Sequence, residues 1–351
     1  MSSESLQEAH LSGRPRAVDV RVRNSARRMA SRSNCVDRVV AFKFGGTSLL
    51  GAERMLNAGQ IVRTAAQSSR VVVIVSAMKG FTDHLLAIGA ALEKGKVELA
   101  RAEAYGVVNK HLGVLSDLQL SEADDLRVRR EMQFLCHDLL HEVSASRSPS
   151  AVAELYDRLA SFGERLSARL FAAALEKSGV VAVPVTSSDF VRTCETFRDA
   201  RPDLLQTREN GRAVLLPLLE DAVIPVVTGF IGATLDGRIT TLGRNSSDFS
   251  GAIIAHVVDA DELVIWTDVD GIFTANPHES VEAKLLHELS YDDAHALAKS
   301  GAKVLHAKVL PLAAETEMVV WVRNTFNPNA RGTRIGPAAR VPAPPKKGGA
   351  E

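Results

Sequence analysis

The stretch that decides the fold is "VVAFKFGGTS", Val39 to Ser48. Residues 39–42 are apolar without interruption, and Lys43, Phe44, two glycines and two hydroxyl residues follow. A continuous Val-rich run predicts a strand covered on both faces, as in a mainly parallel sheet. What comes after it leaves two readings open. Glycines alone serve a tight strand-to-helix turn. A polyanion site would use the whole set: two residues without Cβ for close approach, free backbone N–H groups, a cation and hydroxyl donors. No GxxxxGK[ST] sequence occurs, so the turn is not a P-loop.

Working outward, apolar runs of strand type recur at 71–77, 180–185, 222–230, 262–269 and 318–324. "FIGATLDGRITTL", 230–242, carries Asp236-Gly237 between two β-type stretches and reads as a hairpin. Helical patterns fill 50–67, 81–93, most of 95–178, and then 248–258, 291–300 and 306–316. Leu155, Leu159, Phe162, Leu166 and Leu170 mark an apolar stripe at three- and four-residue spacing. This order predicts an α/β fold: a three-layer sandwich around a mainly parallel central sheet.

Composition narrows the function classes. The 351 residues hold 42 basic and 42 acidic side chains, which gives no general reason to expect nucleic acid or an anionic membrane as partner. Cys35, Cys136 and Cys194 are too scattered for a disulfide framework or a zinc site. No apolar stretch is long enough to propose a membrane span, so a cytoplasmic protein is expected. Residues 1–38 are rich in arginine and poor in large apolar side chains, and 337–351 are rich in Pro, Gly and Lys. Both are expected to be disordered, flanking a folded domain at 39–336.

Three loops carry chemistry. The first is the Lys43–Ser48 turn. The second, "TTLGRNSSDFSGAIIA" at 240–255, brings Arg244, two serines and Asp248 to the start of a helical pattern. Ser247 or Asp248 suits an N-cap, while Arg244 and Asp248 together offer a guanidinium for an anion and a carboxylate for a cation. In the third, "WTDVDGIFTANP" at 266–277, Asp268 and Asp270 follow a buried strand, where ligands collect in open α/β sheets. A solvated Asp-Gly turn is the plainer account. Glu164 in "SFGERLSARL" lies off the apolar stripe and reads equally as a surface residue. As a set, two glycine-bearing anion loops, a strand-end acid pair and several lysines point to phosphoryl transfer, which depends on positioning and charge neutralisation.

The motifs "KFGGTS", "VSAMKGFTD", "SFGERLSARL", "GFIGATLDGRITTLGRNSSD", "IWTDVDGIFTANP", "SGAKVLH" and "VRNTFNPNARGTRI" occur in this order. Together they resemble the catalytic domain of aspartokinases, which have the amino acid kinase fold. The resemblance implies an ATP-dependent kinase of the L-aspartate β-carboxylate, with Mg²⁺ carried by the nucleotide and no protein-held metal. It implies an amino-acid-binding lobe at about 39–220 and a nucleotide-binding lobe at about 221–336. Lys43 and Asp248 would be catalytic, with Gly45 and Gly46 cradling the phosphoryl group. Glu164 would hold the substrate ammonium and Arg244 its α-carboxylate, with Thr47, Ser76 and Thr82 helping to place the substrate. Thr267, Asp268, Phe273 and Lys303 would contact the nucleotide. A homo-oligomer, at least a dimer, is implied.

The chain departs from the family pattern around the nucleotide. Ser246 stands where a glycine is usual, Phe273 where a tyrosine is, Asn276 and His278 replace an acid and an arginine, and Ala307 replaces a proline. Aspartokinases usually continue into two ACT-type regulatory modules, whereas this sequence stops soon after Ile335. Freedom from ACT-mediated feedback, or control by a separate regulatory subunit, is therefore expected. The rival readings are a kinase of a related small amino acid and a non-catalytic partner of an active kinase.

Overall fold

Alternation along the first strand explains the layers. In β1 (Val39–Phe44), Val40, Phe42 and Phe44 point into one apolar core and Ala41 into another. The same split recurs in β2 (Arg70–Val75), where Val71, Val73 and Val75 oppose Val72 and Ile74. A strand with period-two side chains and no polar face can be stable only between two apolar layers.

The computed structural model describes residues 38–145, 152–274, 282–299, 305–306 and 308–337, all within one compact unit, Asp37–Glu351. Eight strands form the main sheet, in the order β10-β12-β11-β7-β1-β2-β4-β3. These are β1 and β2 with β3 (Ala182–Val185), β4 (Ile224–Thr228), β7 (Glu262–Thr267), β10 (Glu288–Ser290), β11 (Val319–Asn324) and β12 (Thr333–Gly336). Every pairing is parallel except β11 with β12. The fold is the expected α/β sandwich. The predicted hairpin is β5 (Ile231–Ala233) against β6 (Ile239–Thr241), turned at Gly237 with φ +86°. A second small pair joins β8 (Ile272–Phe273) and β9 (Leu285–Leu286).

One face of the sheet is covered by α1 (Ala52–Ala65), α2 (Phe81–Glu93), α3 (Val97–Asp117), α4 (Glu122–Ser144) and α5 (Val152–Lys177). The other is covered by α6 (Leu204–Glu220), α7 (Ser247–Val257), α8 (Tyr291–Lys299) and α9 (Val309–Glu315). Helix α6 was not expected. Gly211 and Pro217 interrupt its sequence pattern, yet Asp203 caps it by accepting from the Gln206 N–H at 3.0 Å, and Pro217 sits in its last turn.

Helix α5 corrects a second reading. It is buried around nearly its whole circumference, because α1, α2, α4 and the sheet enclose it. Glu164 is therefore not a surface residue; it is 2% exposed. No helix among the described residues is long and apolar enough to cross a membrane. The tails expected at 1–38 and 337–351 fall, except for residues 38 and 337, outside the described residues.

Candidate active site

Strand order reverses between β7 and β1, so their carboxyl ends part and leave a crevice, the usual ligand position in open α/β sheets. Here lies a cleft of about 130 Å³ lined by Lys43, Gly45, Asp248, Trp266, Thr267 and Gly271. The pleat turns Lys43 toward α7. Gly251 lets the lysine stem lie against that helix, since a Cβ there would stand 3.3 Å from the Lys43 Cβ. The Lys43 ammonium then meets Asp248 Oδ1 at 2.6 Å, with 10% and 20% of the two side chains exposed. Asp248 is thus not the cap of α7. Ser246 is the cap residue and makes no side-chain cap bond.

The two glycines after β1 differ. The Gly45 N–H donates to the Trp266 carbonyl at 3.2 Å, and a Cβ at Gly45 would meet nothing nearer than 3.7 Å. Gly46 accepts from the Lys79 N–H at 3.1 Å, and its Cβ would lie 2.5 Å from the Ala77 carbonyl oxygen. Close approach of two main chains therefore requires glycine at 46, more strictly than at 45. Ser48 and Thr325 share a buried hydroxyl–hydroxyl bond of 2.7 Å, and the Thr47 carbonyl accepts from Arg54 at 2.8 Å. The Ser76 N–H donates to the Phe44 carbonyl at 3.2 Å.

Glu164 reaches the same region from α5. Its Oε1 accepts from the Ala77 N–H at 3.1 Å, while Oε2 is buried with no partner. Burial raises its carboxyl to about 8, against the opposing pull of backbone N–H groups and the Lys43 charge. A buried acid with one idle oxygen and a nearby cation is an unfinished site: a second donor would complete it.

Arg244 does not line the cleft; its side chain, 76% exposed, donates to Asp83 Oδ1 at 2.8 Å. This ties its turn to the start of α2, beside half-buried Thr82. Its anchor is a residue the sequence reading overlooked. Buried Asp157 of α5 accepts from the Thr241 N–H and hydroxyl at 2.9 and 2.8 Å and from the Arg198 N–H at 2.8 Å. Ser246 is completely buried, its hydroxyl without a partner.

The acid pair after β7 separates. Asp268 is exposed beside Thr267, whose hydroxyl donates to it at 3.3 Å. Asp270 turns away to accept from Asn324 and Asn327 at 2.8 and 3.3 Å. Phe273 is half-buried in β8 and does not line the cleft. Lys303, Asn276, His278 and Ala307 lie outside the described residues. Trp266 and Gly271 do line it, and only their place at the end of a buried strand could have marked them. Among the described residues no three His, Cys, Asp or Glu side chains gather as a metal cage.

The profile of the amino acid kinase family matches residues 38–324. Lysine-sensitive aspartokinase 3 of Escherichia coli is 33% identical over 301 residues, covering 86% of this chain and 64% of that protein. Aspartokinase 1 of Arabidopsis thaliana, chloroplastic, is 33% identical over 300 residues, 84% of this chain and 51% of its own length. The chain thus spans between half and two thirds of these relatives. Among solved structures, E. coli aspartokinase III in complex with aspartate and ADP superposes with a TM-score of 0.77 at 32% identity, covering 87% of this chain and 66% of that one.

Proposed function

Because the chain belongs to the amino acid kinase family, we propose that it phosphorylates the β-carboxylate of L-aspartate with ATP, giving 4-phospho-L-aspartate and ADP. One observation carries this reading: the Lys43–Asp248 pair, the Gly45–Gly46 turn and the half-satisfied Glu164 carboxyl converge where β1 and β7 part. The relatives named for aspartokinase activity, and the solved neighbour with aspartate and ADP bound, support the substrate pair.

In this reading residues 39–220 supply the amino acid subsite and 221–336 the nucleotide subsite. A β-carboxylate oxygen attacks the γ-phosphorus, and the bond from that phosphorus to the β,γ-bridging oxygen breaks, so the electron pair leaves with ADP. The nucleophile is already ionised at neutral pH, so no strong base is required. Lys43 neutralises charge on the transferring group, and Asp248 holds its ammonium in place. Gly46 keeps the chain close enough for backbone N–H groups to serve the phosphates. Glu164 pairs with the substrate ammonium and Arg244 with its α-carboxylate, assisted by Thr47, Ser76 and Thr82. Thr267 and Asp268 contact the nucleotide, and the family resemblance adds Phe273 and Lys303 to its pocket.

Magnesium, when bound, offsets phosphate charge. Asp248 and Asp268 would be its carboxylate neighbours, a donor set that suits an ion held chiefly by phosphate oxygens. An ATP-dependent hydroxamate assay across small acidic amino acids tests the proposal. Aspartate should give the fastest trapping. A faster analogue would replace the substrate, and no hydroxamate with any of them would refute the activity.

A further inference from the structure

Two turns of α5 before Glu164, a second carboxylate is sealed in the same helix. Asp157 is 2% exposed, as Glu164 is. Seven residues of helix set the two about 10 Å apart along the axis and on one face. Their surroundings differ. Glu164 keeps an idle oxygen, whereas both oxygens of Asp157 are engaged. Its Oδ1 accepts from the Thr241 hydroxyl at 2.8 Å, and its Oδ2 from the N–H groups of Thr241 and Arg198 at 2.9 and 2.8 Å. Each donor belongs to a segment that abuts the turn bearing Arg244.

Thr241 ends β6, and the chain runs from it through Leu242 and Gly243 into Arg244. Arg198 lies in the loop between β3 and α6, with φ +71°. That left-handed conformation costs a non-glycine residue free energy and persists only where its neighbours fix it. Here Asp157 holds the Arg198 N–H, and its guanidinium lies over the Tyr156 ring at 4.8 Å. The next residue, Asp199, packs against the turn: a Cβ at Gly243, where φ is +95°, would stand 2.6 Å from Asp199 Oδ1. The Arg244 turn is thus approached from two sides, by β6 and by this loop, and Asp157 holds both. The remaining tie, Arg244 to Asp83, joins two side chains that are 76% and 71% exposed. Such a pair contributes little beside several hydrogen bonds to one buried carboxylate.

We infer that Asp157 is a positioning residue for the substrate: acting through β6 and the Arg198 loop, it fixes where Arg244 stands relative to Glu164. The inference rests on the proposed pairing of Arg244 with the substrate α-carboxylate and of Glu164 with its ammonium. One helix, α5, then sets the spacing of both grips, the ammonium grip directly through Glu164 and the carboxylate grip at one remove through Asp157.

Calorimetric titration of aspartate into the full chain saturated with Mg²⁺·ADP, alongside steady-state kinetics, tests this. Thr241→Val keeps the shape of β6 and deletes the bond to Oδ1, while Asp157→Ala deletes all three bonds. Thr241→Val should weaken aspartate binding about fivefold and Asp157→Ala more, with turnover at saturating aspartate and the Michaelis constant for ATP within about twofold of the parent. In an Arg244→Ala background, Thr241→Val should cost no further affinity, because the group it positions is gone. A purely structural role would instead lower turnover and raise both Michaelis constants together, and its effect would add to that of Arg244→Ala. Unchanged aspartate binding in Thr241→Val, or the same loss with and without Arg244, overturns the inference, whatever the fate of Asp157→Ala. If Arg244→Ala itself leaves aspartate binding unchanged, the proposed substrate subsite fails, and the inference falls with it.

Discussion

Amino acid binding should drive a proton off Glu164. In the free chain this carboxyl has one hydrogen bond and an idle oxygen, and burial holds it at about 8. About nine molecules in ten then carry the proton at pH 7. An ammonium pairs with the carboxylate, not the acid, so binding at pH 7 should release about 0.9 proton, and apparent affinity should fall about tenfold per pH unit below 8. Calorimetry of aspartate binding at pH 7 in two buffers of different ionisation enthalpy reads this directly. The heats should differ by about nine tenths of the buffer difference, and Glu164→Gln should remove the dependence. Clear binding with identical heats in both buffers would refute the argument; no binding at all would instead count against the proposed substrate. The same raised carboxyl sets a stability slope. The unfolded chain gives up this proton from pH 4.5 and the folded chain only near 8, so stability falls as pH rises between them, by at most roughly 5 kcal/mol. Glu164→Gln should flatten that slope and unfold later than the parent at pH 8.

Lys43→Met should lower turnover at least about 100-fold, a loss near 3 kcal/mol of transition-state stabilisation, with a smaller change in aspartate affinity; near-normal turnover in steady-state kinetics would exclude Lys43 from the chemistry. Gly46→Ala should destabilise the chain and abolish activity, because its Cβ meets the Ala77 carbonyl at 2.5 Å, whereas Gly45→Ala should fold almost normally; denaturant midpoints compare the two. His111 is fully buried, its Nδ1 donating to the Val107 carbonyl, and burial lowers it to about 4. Its contribution is present above pH 6.5 and lost as pH falls toward 4, by up to roughly 3 kcal/mol. His111→Leu should lose less stability than the parent between pH 6.5 and 4.5 in urea titrations; an unchanged acid slope would count against a neutral buried imidazole. Arg244→Lys should raise the Michaelis constant for aspartate more than it lowers turnover, since lysine cannot grip a carboxylate with two bonds; an unchanged constant would remove Arg244 from the substrate subsite.

The sheet and its supporting helices were legible because their signals are local. Val71 to Val75 can only be a doubly covered strand, and the Gly237 hairpin turn is written in a dipeptide. The Lys43 turn was legible for the same reason, as a strand, two glycines and hydroxyls in immediate succession. Helix α6 was not, because Gly211 and Pro217 weaken a local pattern that packing against α7 and β4 restores. Asp270 shows the limit in the other direction: it sits beside the site in sequence, yet it clamps Asn324.

Sequence by itself determined the alternation of strands and helices, and which turns could accept a polyanion. Tertiary structure alone decided that Lys43 meets Asp248, that Gly46 rather than Gly45 is sterically required, and that Glu164 is sealed with half its hydrogen bonding undone. Periodicity reports which face of an element is apolar. It cannot report what a polar residue meets once segments more than 80 residues apart, such as Ala77 and Glu164, close around it and exclude water.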